Sequence, residues 1–213
     1  MSPAIKICGI STVEALDAAI EARADFFGMV FFPPSPRHVD AHAASALAMR
    51  AGERIGRVGL FVDADDQLIS ECVKAGRLDA IQLHGDETPA RVAEVKARFG
   101  LPVWKAISVA KAEDIAAADA YRNVTDLMLF DAKTPKDAAL PGGMGLRFDW
   151  SLLNDWKGRP GWGLAGGLTP ANVGDAVRQT RAPLLDTSSG VETAPGQKDP
   201  ELIRTFCEAA RKA

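Results

Sequence analysis

Residues 4–16 read AIKICGISTVEAL: an apolar run of strand length, a glycine, then the opening of an amphipathic helix. The same grammar recurs along the chain. AIKIC (4–8) is followed by FFGMVFF (26–32), RVGLFV (57–62), AIQL (80–83), VWKAI (103–107), LMLFD (127–131), WGLAG (162–166) and PLLDT (183–187), eight runs whose starts lie roughly 21 to 35 residues apart. That spacing holds one strand, one helix and two loops. Near-continuous apolar strands predict a parallel sheet covered on both faces, and eight βα units close into a barrel. The expected fold is α/β, a (β/α)8 TIM barrel of the phosphate-binding type forming one domain over residues 1–213. A doubly wound open sheet is the alternative. Ser11 with Glu14 predicts a capping box for the first helix, and Thr169-Pro170 predicts an N-cap followed by Pro at the first helical position.

Composition narrows the function classes. Of 213 residues, 47% are apolar and 25% charged, ordinary globular usage that excludes disordered, collagenous and disulfide-stapled chains. Three cysteines, Cys8, Cys72 and Cys207, form neither a disulfide framework nor a paired metal motif and fit a reducing compartment. No basic segment leads into an apolar run at the N-terminus, and no stretch approaches a membrane span. A cytoplasmic location is expected. The net charge of −3 with scattered Lys and Arg gives no footprint for nucleic acid or an anionic membrane, so any bound anion is expected to be small.

The residues at run ends carry the chemistry. Run seven continues into AGGLTPANV and run eight into DTSSGVE. In a barrel the loops after strands seven and eight form the usual phosphate site, so Gly166, Gly167, Ser188, Ser189 and Gly190 are the phosphate candidates. Each stretch alone is also plain turn chemistry. Cys8 closes the first run and Asp131 the sixth. Facing one another at a barrel mouth, they could act as base and acid; separately, a buried cysteine is commonly inert and a strand-end carboxylate commonly bonds loop amides. A helix start after Gly9 and Ser11 is expected to favour the Cys8 thiolate. Arg37, in the long connection PPSPRHVD (33–40), has a planar fork suited to a carboxylate. Asp186 suits a hydroxyl, and His84 in QLHG is a further substrate candidate, although a lone strand-end His is often structural, as is Lys105. Cys72 and Cys207 read as packing residues. A second long connection, 132–150, is also expected at the carboxyl face.

Taken in order, KICGIS, GMVFFPPSPRHV, VGLFVD, IQLHGDE, VWKAI, LFDAK, PGGMGLRFDW, LAGGLTPANV and SSGVETAPGQKD resemble the phosphoribosylanthranilate isomerases of tryptophan biosynthesis along nearly the whole chain. The resemblance implies an isomerase without cofactor or metal, acting on N-(5-phosphoribosyl)anthranilate by an Amadori rearrangement. It implies Cys8 as general base, Asp131 as general acid, Arg37 on the anthranilate carboxylate, Asp186 on a sugar hydroxyl and the two Gly/Ser loops on the 5-phosphate. It leaves monomer and homodimer both open. Two positions depart from the family pattern: Thr187 after Asp186, and Met144 in the G-G-x-G loop. Indole-3-glycerol-phosphate synthase would demand a lysine acid and an N-terminal extension, a sugar-phosphate epimerase metal-binding His and acidic residues, and a bifunctional isomerase an aspartate in place of Cys8. A catalytically silent phosphate-binding barrel is the alternative outside enzymes.

Overall fold

The computed structural model describes residues 2–133, 145–154, 156 and 161–213. Eight parallel strands hydrogen-bond in sequence order and close on themselves. They are β1 (Ala4–Cys8), β2 (Phe26–Val30), β3 (Gly56–Phe61), β4 (Ala80–Leu83), β5 (Val103–Val109), β6 (Leu127–Ala132), β7 (Gly161–Leu164) and β8 (Leu184–Thr187). The seam pairs β1 with β8, setting Ile5 opposite Leu185 and Lys6 opposite Asp186. Closure removes both edges of the barrel sheet, so its eight strands each pair on both sides.

Helices α1 (Val13–Glu21), α2 (Ala41–Ala51), α3 (Asp66–Gly76), α4 (Pro89–Phe99), α5 (Ala112–Ala117), α6 (Val173–Thr180) and α7 (Pro200–Lys212) cover the outside. Between β6 and β7 the described residues carry a short 3-10 turn, Trp150–Leu153, where an eighth α-helix was expected. After β8 the chain makes a two-stranded hairpin, β9 (Glu192–Ala194) and β10 (Gln197–Lys198), before α7.

Strand side chains alternate faces, and here both faces are buried. Ile5, Ile7, Phe27 and Met29 point outward into the layer formed with Leu16 of α1 and Leu47 of α2. Inward residues stack in levels. Val58, Ala80, Trp104, Leu129 and Leu184 form an apolar floor, with Phe26 edge-on against Trp104 at a ring separation of 5.1 Å. Each fully buried aromatic or aliphatic side chain contributes about 1.5 to 3 kcal/mol. Two residues above the floor on each strand, the period of two brings up Lys6, Gln82 and Asp186, all buried, and then the mouth residues Cys8, His84 and Asp131.

Both expected helix starts are displaced. The cap of α1 is Thr12, whose side chain accepts from the Ala15 backbone N–H, so Glu14 lies in the first turn without closing a box with Ser11. Thr169 and Pro170 precede α6 rather than start it: the Asn172 N–H closes a turn on the Thr169 carbonyl, the Asn172 side chain accepts from the Thr169 N–H, and the helix begins at Val173. The Pro-led start does occur at Thr88-Pro89 and Asp199-Pro200, where both caps accept backbone hydrogen bonds. Replacing Thr12 by Ala should lower the urea-unfolding free energy by about 1 kcal/mol, whereas Ser11→Ala should change it by less than about 0.5 kcal/mol. The reverse order would relocate the cap to Ser11.

Candidate active site

One cavity opens at the carboxyl ends of the strands. Cys8, Arg37, His84, Asp131 and Asp186 line it, together with Gly166, Gly167, Ser188, Ser189 and Gly190, so the catalytic, substrate and phosphate candidates meet in one place. Val30, Phe32, Leu60 and Val62 supply an apolar wall on the β2 and β3 side. Met144 lies outside the described residues.

Lys6 is the group that the sequence reading missed. It is 0% exposed, and its Nζ lies 2.9 and 3.0 Å from the two oxygens of Asp186 across the seam. A Cβ on Gly28 would stand 3.0 Å from Cys8 Sγ and 3.2 Å from Lys6 Nζ, so thiol and ammonium crowd the same face of β2. Burial pulls Lys6 down, but Asp186 and Cys8 outweigh it and hold the ammonium above the ordinary lysine range. Burial pushes the Cys8 thiol up, opposed by the charge and hydrogen bond of Lys6 and by the charge of Lys198. Burial also pushes the Asp186 carboxyl up against the pull of Lys6. With both carboxylate oxygens at bonding distance from the ammonium, the pair is read as ionised.

The expected helix terminus does not reach the sulfur. Gly9 to Thr12 separate Cys8 from α1, and the Gly9 and Ile10 N–H groups both donate to the Gly28 carbonyl. Gly9 serves a different purpose. Its φ is +77°, and a Cβ there would lie 2.6 Å from Arg37 Cδ, so the missing side chain makes room for the arginine stem.

Arg37 is 6% exposed and firmly mounted. Its Nε and Nη2 donate to the two Glu192 oxygens at 2.8 and 2.7 Å. Glu192 also accepts from Lys198 Nζ at 2.5 Å, and Lys198 reaches back to the Ser188 carbonyl at 3.1 Å and its hydroxyl at 3.3 Å. Burial would raise the Glu192 carboxyl, but the two cations win and lower it; burial lowers Lys198 in turn. The β2–α2 connection and the loop after β8 are thus tied through one buried carboxylate.

On the opposite wall, His84 Nε2 stands 3.3 Å from Asp131 Oδ2, while Asp131 Oδ1 accepts from the Ala132 N–H at 2.8 Å. Lys105 points away from this cavity. Its Nζ donates to the Gly85 carbonyl at 2.7 Å and to Glu87 at 3.0 Å, pinning the loop that carries His84, as its structural reading anticipated.

The loops after β7 and β8 are locked together. Thr187, the departure noted in the sequence, donates its hydroxyl to the Leu168 carbonyl at 2.8 Å. A Cβ on Gly190 would lie 1.8 Å from that same oxygen, so only glycine lets the two loops meet. Among the described residues no acceptor takes the backbone N–H of Gly167 or Ser189. Such donors at a cavity wall suit a phosphate.

The comparisons with known proteins agree along the length of the chain. The family model described as N-(5'phosphoribosyl)anthranilate (PRA) isomerase matches residues 5–209. The chain belongs to this isomerase family. It is 54% identical over 210 residues to the N-(5'-phosphoribosyl)anthranilate isomerase of Paracoccus denitrificans, covering 99% of this chain and 98% of that one. Among solved structures, the isomerase of Thermotoga maritima superposes with a TM-score of 0.88 at 34% identity, covering 99% of this chain and 100% of that one. A family structure in complex with reduced 1-(o-carboxyphenylamino)-1-deoxyribulose 5-phosphate superposes with a TM-score of 0.86 at 32% identity over 99% of this chain and 100% of that one. In this isomerase chain, no helix among the described residues is long and apolar enough to cross a membrane, and no group of three or more His, Cys, Asp or Glu is arranged to hold a metal ion.

Thiol chemistry tests the local electrostatics. Cys72 and Cys207 are packed beneath the helices, with burial pushing both up to about 11, whereas Cys8 lines the cavity, so iodoacetamide entering the cavity should label Cys8 first in the folded protein. Lys6→Met removes an influence that lowers the thiol, so Cys8 labelling at pH 8 should slow by about tenfold, one pKa unit of thiolate population. Equal rates in the two proteins would remove Lys6 from any role at the sulfur.

Proposed function

We infer the function from family membership and the site together. The chain is a phosphoribosylanthranilate isomerase: it converts N-(5-phosphoribosyl)anthranilate to 1-(2-carboxyphenylamino)-1-deoxyribulose 5-phosphate, an Amadori step of tryptophan biosynthesis. Our proposal concerns how its residues do so. The observation that carries it is one cavity lined at once by the thiol ending β1, the carboxyl group ending β6 and the two glycine-rich loops after β7 and β8.

The 5-phosphate binds against Gly166, Gly167, Ser188, Ser189 and Gly190, with Lys198 bracing Ser188 from behind. Binding energy from this remote group holds the furanose between acid and base. Asp131, in its acid form, gives its proton to the ring oxygen as the C1′–O bond breaks and the anthranilate nitrogen lone pair forms the Schiff base. Cys8 thiolate then takes the C2′ proton, the C–H electrons flow toward nitrogen, and the enolamine tautomerises to the ketone. Lys6 is the cation that offsets thiolate burial. Asp186 takes a sugar hydroxyl while keeping Lys6 charged. Arg37, held on Glu192, presents its charge to the anthranilate carboxylate, and the apolar wall of Val30, Phe32, Leu60 and Val62 receives the aromatic ring.

We also propose a cytoplasmic location, as suits three cysteines without a partner disulfide. For assembly, monomer and homodimer stay the two readings. The isomerase of Thermotoga maritima is dimeric, and a structure of monomers generated from it superposes on this chain with a TM-score of 0.85 at 33% identity, so that relative supports either state.

Cys8→Ala and Asp131→Asn should each lower kcat by about 100-fold or more while leaving the fold intact, assayed by loss of anthranilate fluorescence from freshly prepared substrate. Full turnover in either variant would sink the assignment of roles, and absence of turnover in the unmodified enzyme would favour a silent barrel. Soaked sulfate or phosphate should appear against Gly167 and Ser189. Gly190→Ala, which drives a Cβ into the Leu168 carbonyl, should raise KM by about tenfold or more.

A further inference from the structure

Gln82 is an unexpected residue in its strand. It sits in AIQL between apolar neighbours, is 0% exposed, and occupies the inward level two residues below His84. A buried amide without partners is costly, so its presence calls for a compensating contact. That contact is His84: Gln82 Nε2 lies 3.0 Å from His84 Nδ1, while Gln82 Oε1 is buried and has no partner among the described residues.

We propose that Gln82 is a positioning residue that fixes the tautomer of His84, placing the ring proton on the nitrogen facing Asp131. A neutral imidazole has one N–H and one acceptor nitrogen, and each neighbour selects which is which. On one side, Nε2 faces Asp131 Oδ2 at 3.3 Å, and an N–H there leaves the acid's proton for the substrate. On the other, an amide N–H directed at Nδ1 requires a lone pair there. The two contacts agree on the same tautomer.

The inference rests on Asp131 being the acid. Once Asp131 has passed its proton to the ring oxygen, its carboxylate accepts from Ala132 N–H on Oδ1 and faces His84 Nε2–H on Oδ2. A His84 carrying its proton on Nδ1 would instead turn a lone pair to Asp131 and compete with the substrate for the acid's proton. Gln82 therefore acts through His84 on the acid, and His84 serves the acid as well as lining the cavity.

The test reads the ring directly. Long-range proton–nitrogen NMR of nitrogen-15 histidine-labelled protein at pH 7.5 resolves the three histidines of the chain, with His84 assigned by His84→Asn. The expected result is the Nε2–H tautomer in the unmodified enzyme, loss of a fixed tautomer in Gln82→Leu, and a protonated Nδ1 in Gln82→Glu. Both variants should lower kcat by about tenfold, less than removal of the acid itself, with KM within about threefold. An Nδ1–H tautomer or an imidazolium in the unmodified enzyme overturns the proposal, and that measurement needs no variant to fold. A Gln82→Leu kcat within twofold of the unmodified enzyme overturns it too. Full turnover in Asp131→Asn instead removes the acid reading, whatever the tautomer of His84.

Discussion

A lysine ammonium fully enclosed inside a barrel is tolerable only if a carboxylate meets it there. Lys6 and Asp186 face each other across the one seam that joins the first strand to the last, with both carboxylate oxygens within 3.0 Å of the nitrogen. Removing one partner of such a pair costs about 3 to 5 kcal/mol, a large share of a domain's stability, because the survivor is buried unpaired. The seam register is fixed accordingly. A slip of one residue would turn Lys6 outward into the layer beneath the helices and carry Cys8 away from the cavity. Ring closure and catalytic geometry therefore answer to the same contact.

Above the apolar floor, the interior becomes more polar level by level. Lys6, Gln82 and Asp186 form a buried polar tier, with Lys6 beside the thiol and Gln82 bonded to the imidazole nearer the mouth. Glu192 plays a comparable part outside the ring of strands. It accepts from Arg37 and Lys198 together, so the arginine of the β2–α2 connection and the serine loop after β8 share an anchor. Under the proposed roles of these residues, the two ends of the substrate would not drift independently, which suits a reaction that needs the sugar fixed between two groups.

Strand positions were legible because burial on both faces writes itself as continuous apolar runs; all eight lie within a residue or two of the observed elements. The cavity residues were legible because they close those runs. The supporting tier was not. Lys6 and Gln82 interrupt apolar strands two residues before Cys8 and His84, and that spacing was a usable signal, since a polar residue on the inward face of a closed barrel must have a partner. Glu192 and Lys198 gave no such signal, their partner Arg37 being 155 residues from Glu192 in sequence. The helix starts failed for a local reason: two capping residues lie close together at each place, Ser11 with Thr12 and Thr169 with Asn172, and which of them caps depends on where the preceding strand releases the chain.

The separation between Lys6 and Asp186, 180 residues, also bears on how the molecule is made. Synthesis at about 5 to 20 residues per second leaves Lys6 waiting roughly 10 to 40 seconds for its counter-ion to be translated. Throughout that interval the ammonium keeps its hydration, and strands emerging from the ribosome cannot seal around it. The anchor for Arg37 arrives later still, six residues after Asp186. The cavity is thus completed only once the last strand and the hairpin after it have been made.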